Sequence, residues 1–326
     1  MQNLVEVSGV RKRFNLEAGF FAPVGRYVYA VNGLSFSIAE NESYGLAGES
    51  GCGKTTAARL LVRMYNYDSG SITFRGSEIA SFKKNELTAY RQKLKYVFQD
   101  PARSLNPRMS VYDVLVSGRR WSSTPGNQKT DEKTLRQKAA KIIEEVGLSS
   151  DDLERRPVEF SGGQRQRISI ARGLIAEPEL LICDEVVSAL DVSIQAQILN
   201  LLMEIRRSRS LSFLFIAHDL KVACWFCDRI GVMYRGEMME EAPAADLYKT
   251  AAHPYTQLLF SSVVNSGETQ AMHGSSTVLK GEVRTALEEI SGCSFAGRCP
   301  KATERCRQEK PELREIKDGH KLRCFY

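Results

Sequence analysis

The chain lacks any run of apolar residues long enough to cross a membrane. A spanning helix needs roughly 20 predominantly apolar residues, whereas the longest apolar stretches here, such as residues 211–217, have the length of one strand. Residues 1–7 lack the basic and then apolar segments of a secretory leader. No internal repeat or sustained heptad pattern occurs, which argues against repeat proteins and long coiled coils. The sequence therefore predicts a cytoplasmic protein without a membrane-spanning part of its own.

What is present is an ordinary globular composition. The 326 residues are 43% hydrophobic and 26% charged, which suits one large domain with an appendage or two modest domains. A formal charge of +6 permits contact with anions but selects none. The eight cysteines are not expected to form disulfides, because cytosolic thiols are kept reduced. Metal ligation and core packing remain as explanations for them.

Strand-like and helix-like segments alternate over the first 240 or so residues, which predicts an α/β fold. Residues 43–47 and 180–183 are compact apolar runs typical of buried strands. Residues 56–64 place Ala57, Leu60, Leu61 and Met64 on one face of a helix. Residues 112–146 are polar and helix-prone, which predicts a helical subdomain. Residues 265–276 are rich in Ser, Gly and Thr and predict a linker.

A glycine-rich loop with a lysine follows the first buried run. Residues 48–55 fit the pattern G-x-x-x-x-G-K-[ST], with a strand before them and an amphipathic helix after them. Backbone N–H groups and the helix N-terminus can then surround phosphates. Lys54 is expected to neutralise the β- and γ-phosphates, and the Thr55 hydroxyl to bind Mg²⁺. The expected nucleotide contacts of this loop are Gly48, Ser50, Gly51, Cys52, Gly53, Lys54, Thr55 and Thr56.

Two acidic residues end the second buried run. Asp184 follows an apolar strand, where it can hold the Mg²⁺ shell. Glu185 is the next residue and is the expected general base for an attacking water. A strand that merely ends in surface acids would be common in isolation, but together with the glycine-rich loop the pair predicts a nucleoside triphosphatase.

A short motif narrows the class further. Ser161, Gly162, Gly163 and Gln164 begin a predicted helix before the acidic strand, and this run resembles the signature of ABC ATPases. The resemblance implies a RecA-like P-loop NTPase core, an ABC helical subdomain at about residues 110–175 and an antiparallel β part. It also implies that the signature acts on ATP bound by a second subunit, so that ATP lies between two head-to-tail domains.

The other family positions occur in the expected order. Gln99 resembles the glutamine that reaches Mg²⁺ and the attacking water, and Asp191 resembles the aspartate that crosses the dimer interface. His218 resembles the histidine that contacts the γ-phosphate. Phe14 matches the aromatic residue that stacks on adenine, although Tyr27 or Tyr29 could take that role. Val186 and Val187 replace the more usual Pro-Thr, which affects the shape of this loop and no catalytic group.

Several runs resemble the ATPases of oligopeptide/dipeptide importers, namely residues 100–109, 188–197 and 253–256, and the Cys-rich tail at 292–300. Residues 14–31 resemble the F-type ATPase of the heterodimeric systems. The resemblance implies an ATPase on the cytoplasmic face of the membrane, peripheral to it. The implied partners are a second related ATPase, two permeases and an extracytoplasmic solute-binding protein, and no nucleic acid. Nickel, opine and oligosaccharide importers remain alternatives, as does a soluble ABC ATPase outside transport.

Four cysteines lie in the tail. The gaps between them are five, six and seventeen residues, whereas zinc sites usually contain close Cys pairs, so the spacing is a weak metal signal. Resemblance to the importer family implies a [4Fe–4S] cluster, with zinc or simple reduced thiols as alternatives.

Residues 1–245 are expected to form the nucleotide-binding domain, and residues 246–326 a small Cys-rich domain distant from the phosphate loop. The expected cluster ligands are Cys293, Cys299, Cys306 and Cys324. Cys52 occupies a variable position of the glycine-rich loop, and Cys183, Cys224 and Cys227 are expected to pack in the core.

Overall fold

A computed structural model of the chain describes residues 3–15, 27–120, 131–188, 190–264 and 291–326. The predicted linker at 265–276 lies outside these ranges. The chain divides into two compact units, one made of Met1–Ala80 with Phe215–Tyr326 and the other of Ser81–Leu214. Within the described ranges, no helix is both long enough and apolar enough to span a membrane.

Strands and helices alternate along most of the chain. The strands are β1 (Asn3–Asn15), β2 (Tyr27–Ala39), β3 (Ser43–Ala47), β4 (Ser69–Phe74), β5 (Ser77–Glu78), β6 (Leu94–Val97), β7 (Leu180–Asp184), β8 (Ser212–Ala217), β9 (Arg229–Tyr234), β10 (Glu237–Pro243), β11 (Arg314–Lys317) and β12 (His320–Leu322). The helices are α1 (Lys54–Leu61), α2 (Lys84–Lys93), α3 (Pro101–Ser104), α4 (Val111–Arg120), α5 (Glu132–Glu145), α6 (Gly162–Leu174), α7 (Val192–Ser208), α8 (Leu220–Phe226), α9 (Ala244–Thr250), α10 (Pro254–Val264) and α11 (Glu304–Gln308).

The first unit contains two groups of strands. An antiparallel sheet has the order β2-β1-β4-β5, and a second group has the order β11-β12-β10-β9-β3. Strand β3 runs parallel to β9, with Tyr44 opposite Arg229, and all five of its residues are buried. Gly45 permits close packing there, because an added Cβ would lie 3.0 Å from Cys227 Sγ. The α/β prediction and the antiparallel part are confirmed.

Helix α1 ends earlier than the apolar pattern predicts. Its last residue is Leu61, and Arg63 adopts a left-handed φ of 52°, which cannot continue a right-handed helix. The Arg63 guanidinium instead donates a hydrogen bond of 2.9 Å to the carbonyl of Ile79. Met64 is consequently 45% exposed, so the prediction that it shares the buried face of this helix is wrong.

The C-terminal residues belong to the first unit. Strand β12 pairs antiparallel with β10, with Leu322 opposite Glu240, and forms a hairpin with β11. The structure therefore does not show the separate small Cys-rich domain expected from the sequence. That expectation assumed that the tail has to form its own core. Instead, the tail residues Phe295 and Leu322 are buried within the larger unit, at 1% and 2% exposed.

Buried charges also hold the tail in place. Three glutamates of β10, namely Glu237, Glu240 and Glu241, are at most 3% exposed. Each lies against a basic or imidazole group of the tail, as a buried carboxylate requires a partner. Glu237 pairs with Lys310, Glu240 with His320 at 2.7 Å, and Glu241 with Lys321 at 3.1 Å.

The second unit combines a parallel strand pair with helices. Strands β6 and β7 are parallel, with Leu94 opposite Leu180. Helix α6 approaches them closely at Gly173, where an added Cβ would lie 3.0 Å from Leu181. Helices α4, α5 and α6 lie within the predicted helical subdomain at about residues 110–175. Arg209 and Glu145 form an ion pair of 2.5 Å that anchors the end of α5.

Candidate nucleotide-binding site

The glycine-rich loop closes around its lysine. Lys54 is the first residue of α1 and is 4% exposed. Its ammonium group donates hydrogen bonds to the carbonyls of Gly48 at 2.7 Å and Glu49 at 3.0 Å. Gly53 has a φ of 109°, and a Cβ there would lie 2.1 Å from the carbonyl of Ala30, so only glycine fits. The loop therefore presents a fixed positive charge at a helix N-terminus, which favours phosphate binding.

The remaining loop residues divide into accessible and buried ones. Ser50 and Gly51 are exposed, and Thr55 and Thr56 are half-buried. Cys52 is fully buried, its Sγ lies 3.7 Å from the Lys54 ammonium, and burial raises the pKa of its thiol. A contact between Cys52 and nucleotide would therefore involve its backbone, because the side chain faces the protein interior.

Two carboxylates lie at the end of β7 in the second unit, Asp184 as its last residue and Glu185 directly after it. Asp184 accepts a hydrogen bond of 2.5 Å from the Tyr96 hydroxyl. Glu185 has a left-handed φ of 51° and accepts a hydrogen bond of 2.7 Å from the Gln99 amide. The structure thus brings the predicted base and the predicted glutamine together. Sequence reasoning missed Tyr96, which is an ordinary strand residue in the sequence and has no motif to mark it.

The signature residues cap α6. Ser161 and Gln164 form a reciprocal capping box, in which Ser161 N donates to Gln164 Oε1 at 2.9 Å and Gln164 N to Ser161 Oγ at 3.4 Å. The two glycines differ in their surroundings. An added Cβ at Gly162 finds its nearest neighbour at 4.0 Å, whereas at Gly163 it would lie 2.6 Å from Ile194 Cγ2. Gly163 is therefore required for packing as well as for any role in the signature.

The other predicted residues are half-buried or exposed. Phe14 is half-buried and contacts Tyr65 edge to face, with ring centroids 5.2 Å apart. The competing Tyr27 has the guanidinium of Arg13 at 4.5 Å from its ring. His218 and Asp191 are exposed, the latter directly before α7 without a side-chain cap. The adenine, interface and γ-phosphate roles of these residues stay predictions.

The Cys-rich tail contacts the phosphate loop, contrary to the expectation that the two lie apart. The guanidinium of Arg298 binds both carboxylate oxygens of Glu49, at 2.8 and 2.9 Å. The backbone N–H of Glu49 donates to the Tyr255 hydroxyl at 2.9 Å. The expectation was wrong because these contacts join residues more than 200 positions apart in the chain.

The four tail cysteines line one pocket. Its walls also include His253 and Phe295, and its empty volume is about 340 Å³. Burial raises the pKa of Cys293 and of Cys299, and the neighbouring thiols raise both further. However, no group of three or more His, Cys, Asp or Glu side chains within the described ranges has the arrangement of a metal site. The expected metal centre, whether iron–sulfur or zinc at Cys293, Cys299, Cys306 and Cys324, is not supported by this geometry.

Fold and motifs together define an ATPase of the ABC class, and comparison with known proteins agrees. The family model described as "ABC transporter" matches residues 31–188. The model described as "Oligopeptide/dipeptide transporter, C-terminal region" matches residues 239–306. The chain therefore belongs to the ABC transporter ATPases, in the branch that carries this C-terminal region.

Similar curated proteins span almost the whole chain. The putative oligopeptide transport ATP-binding protein YkfD of Bacillus subtilis is 42% identical over 98% of this chain and 94% of its own. The oligopeptide transport ATP-binding protein AppF of the same organism is 42% identical over 99% of this chain and 97% of its own. A probable peptide ABC transporter ATP-binding protein of Sinorhizobium fredii, y4tS, is 41% identical over 98% and 89%. The predicted family is confirmed.

Solved structures agree at the level of the fold. The ATP-binding cassette MJ0796, a dimer bound to ADP and Pi, has a TM-score of 0.64 at 24% identity, covering 74% of this chain and 98% of its own. CbiO1 from Clostridium perfringens has a TM-score of 0.65 at 22% identity, covering 81% and 96%. These likenesses confirm the P-loop ABC fold of the cassette.

Proposed function

We propose that this chain is the ATP-binding and ATP-hydrolysing subunit of an ABC importer for di- or oligopeptides. The observation that carries the proposal is 42% identity, over 99% of the chain, to a protein named for oligopeptide transport. The match of residues 239–306 to the oligopeptide/dipeptide C-terminal region adds support. Importers of nickel, opines or oligosaccharides are the alternatives for cargo, and a soluble ABC ATPase is the alternative for the class.

The proposed mechanism assigns one task to each polar group. Lys54 binds the β- and γ-phosphates, and Thr55, Asp184 and Gln99 hold Mg²⁺. Glu185 takes the proton of the attacking water, and its hydrogen bond from Gln99 orients the carboxylate. His218 contacts the γ-phosphate.

The proposed assembly pairs this cassette with a second ATPase. Residues 1–245 act as the nucleotide-binding domain and residues 246–326 as its C-terminal extension. Ser161, Gly162, Gly163 and Gln164 act on ATP held by a second, related ATPase, with this chain as the F-type member. Two permeases and an extracytoplasmic solute-binding protein complete the importer, and this chain lies on the cytoplasmic face of the membrane.

An isosteric substitution that removes the negative charge tests the catalytic assignment. Glu185→Gln should lower steady-state ATP hydrolysis at least about 100-fold, because the amide cannot accept the proton of water, while ATP binding changes little. Glu204→Gln, an exposed position of α7, is the matched control and should retain full activity. Near-normal hydrolysis by Glu185→Gln would remove Glu185 from the role of base.

Transport assays test the cargo. The chain should be reconstituted in vesicles with a candidate second ATPase, two candidate permeases and a solute-binding protein. ATP-dependent uptake of labelled peptides, lost in Glu185→Gln, is the expected result. Uptake of nickel, an opine or an oligosaccharide without peptide uptake would contradict the proposed peptide cargo. Failure of the ATPase to assemble with any permease would contradict its assignment to an importer.

The tail cysteines are proposed to hold a [4Fe–4S] cluster, with one zinc ion as the alternative. The support is chemical, since four soft thiol donors line one pocket and thiolates favour iron–sulfur clusters and zinc. A bound cluster would cross-link the tail, and redox chemistry is no part of the proposal. Anaerobically purified protein should be brown and contain about four iron per chain, with the iron lost in Cys293→Ser and kept in Cys224→Ser. Colourless protein with one zinc, or with no metal, would contradict the cluster.

A further inference from the structure

An acidic side chain in the phosphate loop poses an electrostatic problem. Glu49 follows the first glycine of the loop, and its side chain is 19% exposed. An unpaired carboxylate at this position would repel the phosphates that the loop receives, and the repulsion would be strong because partly buried charges are poorly screened. The hydrogen bond from the Lys54 ammonium to Glu49 goes to the backbone carbonyl and not to the carboxylate.

Arg298 supplies the missing partner from the Cys-rich tail. Its two terminal nitrogens bind the two carboxylate oxygens of Glu49 side by side, the bidentate geometry that makes Arg–carboxylate pairs strong and directional. The Arg298 side chain is 13% exposed. Its guanidinium lies 5.7 Å from the ring of Tyr234 and 6.0 Å from that of Phe295, so the arginine is itself held in place.

The same aromatic cluster also holds the backbone of the loop. Tyr255 accepts the N–H of Glu49, and its ring lies 4.8 Å from Tyr234 and 5.3 Å from Phe295. Phe295 is fully buried. Both the side chain and the backbone of Glu49 are therefore fixed by one cluster, which we name the Glu49 clamp: Glu49, Arg298, Tyr255, Tyr234 and Phe295.

The clamp is built into the cysteine-bearing turn. The backbone N–H groups of Arg298 and Cys299 both donate to the carbonyl of Phe295, at 3.0 Å. Arg298 thus lies on a tight turn between two of the tail cysteines, Cys293 and Cys299. A change in this turn would move the guanidinium that neutralises the Glu49 carboxylate.

We propose that Arg298 is a positioning residue for ATP binding, through which the Cys-rich tail sets the affinity of the phosphate loop. The inference rests on the ATP binding in the proposed function and adds to it a residue outside the nucleotide-binding motifs. Arg298 acts through Glu49: it cancels the carboxylate charge and holds the loop in the conformation that receives phosphate. The tail is then a determinant of nucleotide affinity as well as a structural extension.

Nucleotide titration of the full chain tests the proposal. Arg298→Ala should raise the Kd for Mg-ATP about 10-fold, because it exposes an unpaired carboxylate beside the phosphates. Arg298→Lys keeps the charge but not the paired hydrogen bonds and should raise Kd by a smaller factor. Arg305→Ala is the matched control, since Arg305 lies in the same tail and pairs with Glu309 at an exposed position, 62% and 60% exposed; its Kd should equal that of the unaltered chain.

A second substitution separates positioning from general damage. If Arg298 acts by neutralising Glu49, Glu49→Gln combined with Arg298→Ala should restore the Kd to within about threefold of the unaltered chain.

The results that would overturn the inference are specific. Unchanged Kd in Arg298→Ala, or no recovery in the double variant, would exclude charge neutralisation through Glu49. Should Arg298→Ala fail to fold, Arg298→Gln decides, because it removes the charge and keeps a hydrogen-bond donor; an unaltered Kd in that variant would exclude charge neutralisation through Glu49. Failure of the unaltered chain to bind ATP would instead overturn the proposed function.

Discussion

The buried pair of Glu240 and His320 allows a quantitative test of how the tail stabilises the first unit. His320 Nε2 lies 2.7 Å from Glu240 Oε1, and the side chains are 5% and 0% exposed. Removal of a hydrogen-bond partner from a buried polar group typically costs about 1–3 kcal/mol, and more for a charged group such as a carboxylate. In this case Glu240 keeps two backbone donors, Ala252 N at 2.7 Å and His253 N at 3.1 Å. We therefore expect His320→Ala to lower the free energy of unfolding by about 2–3 kcal/mol.

Thermal unfolding followed by circular dichroism measures this loss. A change of 1 kcal/mol shifts Tm by roughly 2–4 °C in a unit of 150–250 residues, so Tm should fall by about 4–12 °C. Lys321→Ala is the control, because Glu241 still accepts the hydrogen bond of 2.8 Å from the Tyr44 hydroxyl. Lys321 is 39% exposed, so its removal should lower the free energy of unfolding by less than about 1 kcal/mol. Equal stability of the two variants would refute the reasoning, and His320→Gln should recover part of the loss by restoring a donor.

Three further predictions concern the second unit and the cysteines. Gly163→Ala should lower the free energy of unfolding by about 1–3 kcal/mol through overpacking, while Gly162→Ala, in open space, should not; identical urea midpoints would contradict this. Tyr96→Phe removes a donor to Asp184 and should raise the Mg²⁺ concentration for half-maximal ATPase about 10-fold, and an unchanged magnesium titration would exclude that role. Burial raises the pKa of Cys224 to about 11, so alkylation at pH 8, followed by mass spectrometry, should be roughly 100-fold slower than for an ordinary thiol; an equal rate would show that the thiol is not shielded.

Contiguous motifs were predictable from the sequence, and contacts between distant residues were not. The phosphate loop around Lys54 and the capping box of Ser161 and Gln164 depend on neighbours within a few positions, so local patterns identify them. The pair Arg298 and Glu49 is 249 residues apart, and nothing in either segment indicates the other.

The burial of the β10 glutamates was also not predictable from the sequence. Carboxylates are rarely buried without partners, and no local pattern around Glu240 marks it as buried. Their partners, such as His320, lie about 80 positions later. The tail therefore supplies the partners of the β10 glutamates from residues that the local sequence does not link to them.

The division of the chain into units has a consequence for biosynthesis. Residues 81–214 form a continuous unit, whereas the first unit combines residues 1–80 with residues 215–326. During translation the continuous unit can fold as soon as it leaves the ribosome. The phosphate loop must wait for Tyr255 and Arg298, which emerge more than 200 residues after Glu49. A ribosome stalled before that point would hold a chain with one finished half and an exposed, incomplete nucleotide-binding half, the form that chaperones and proteases recognise.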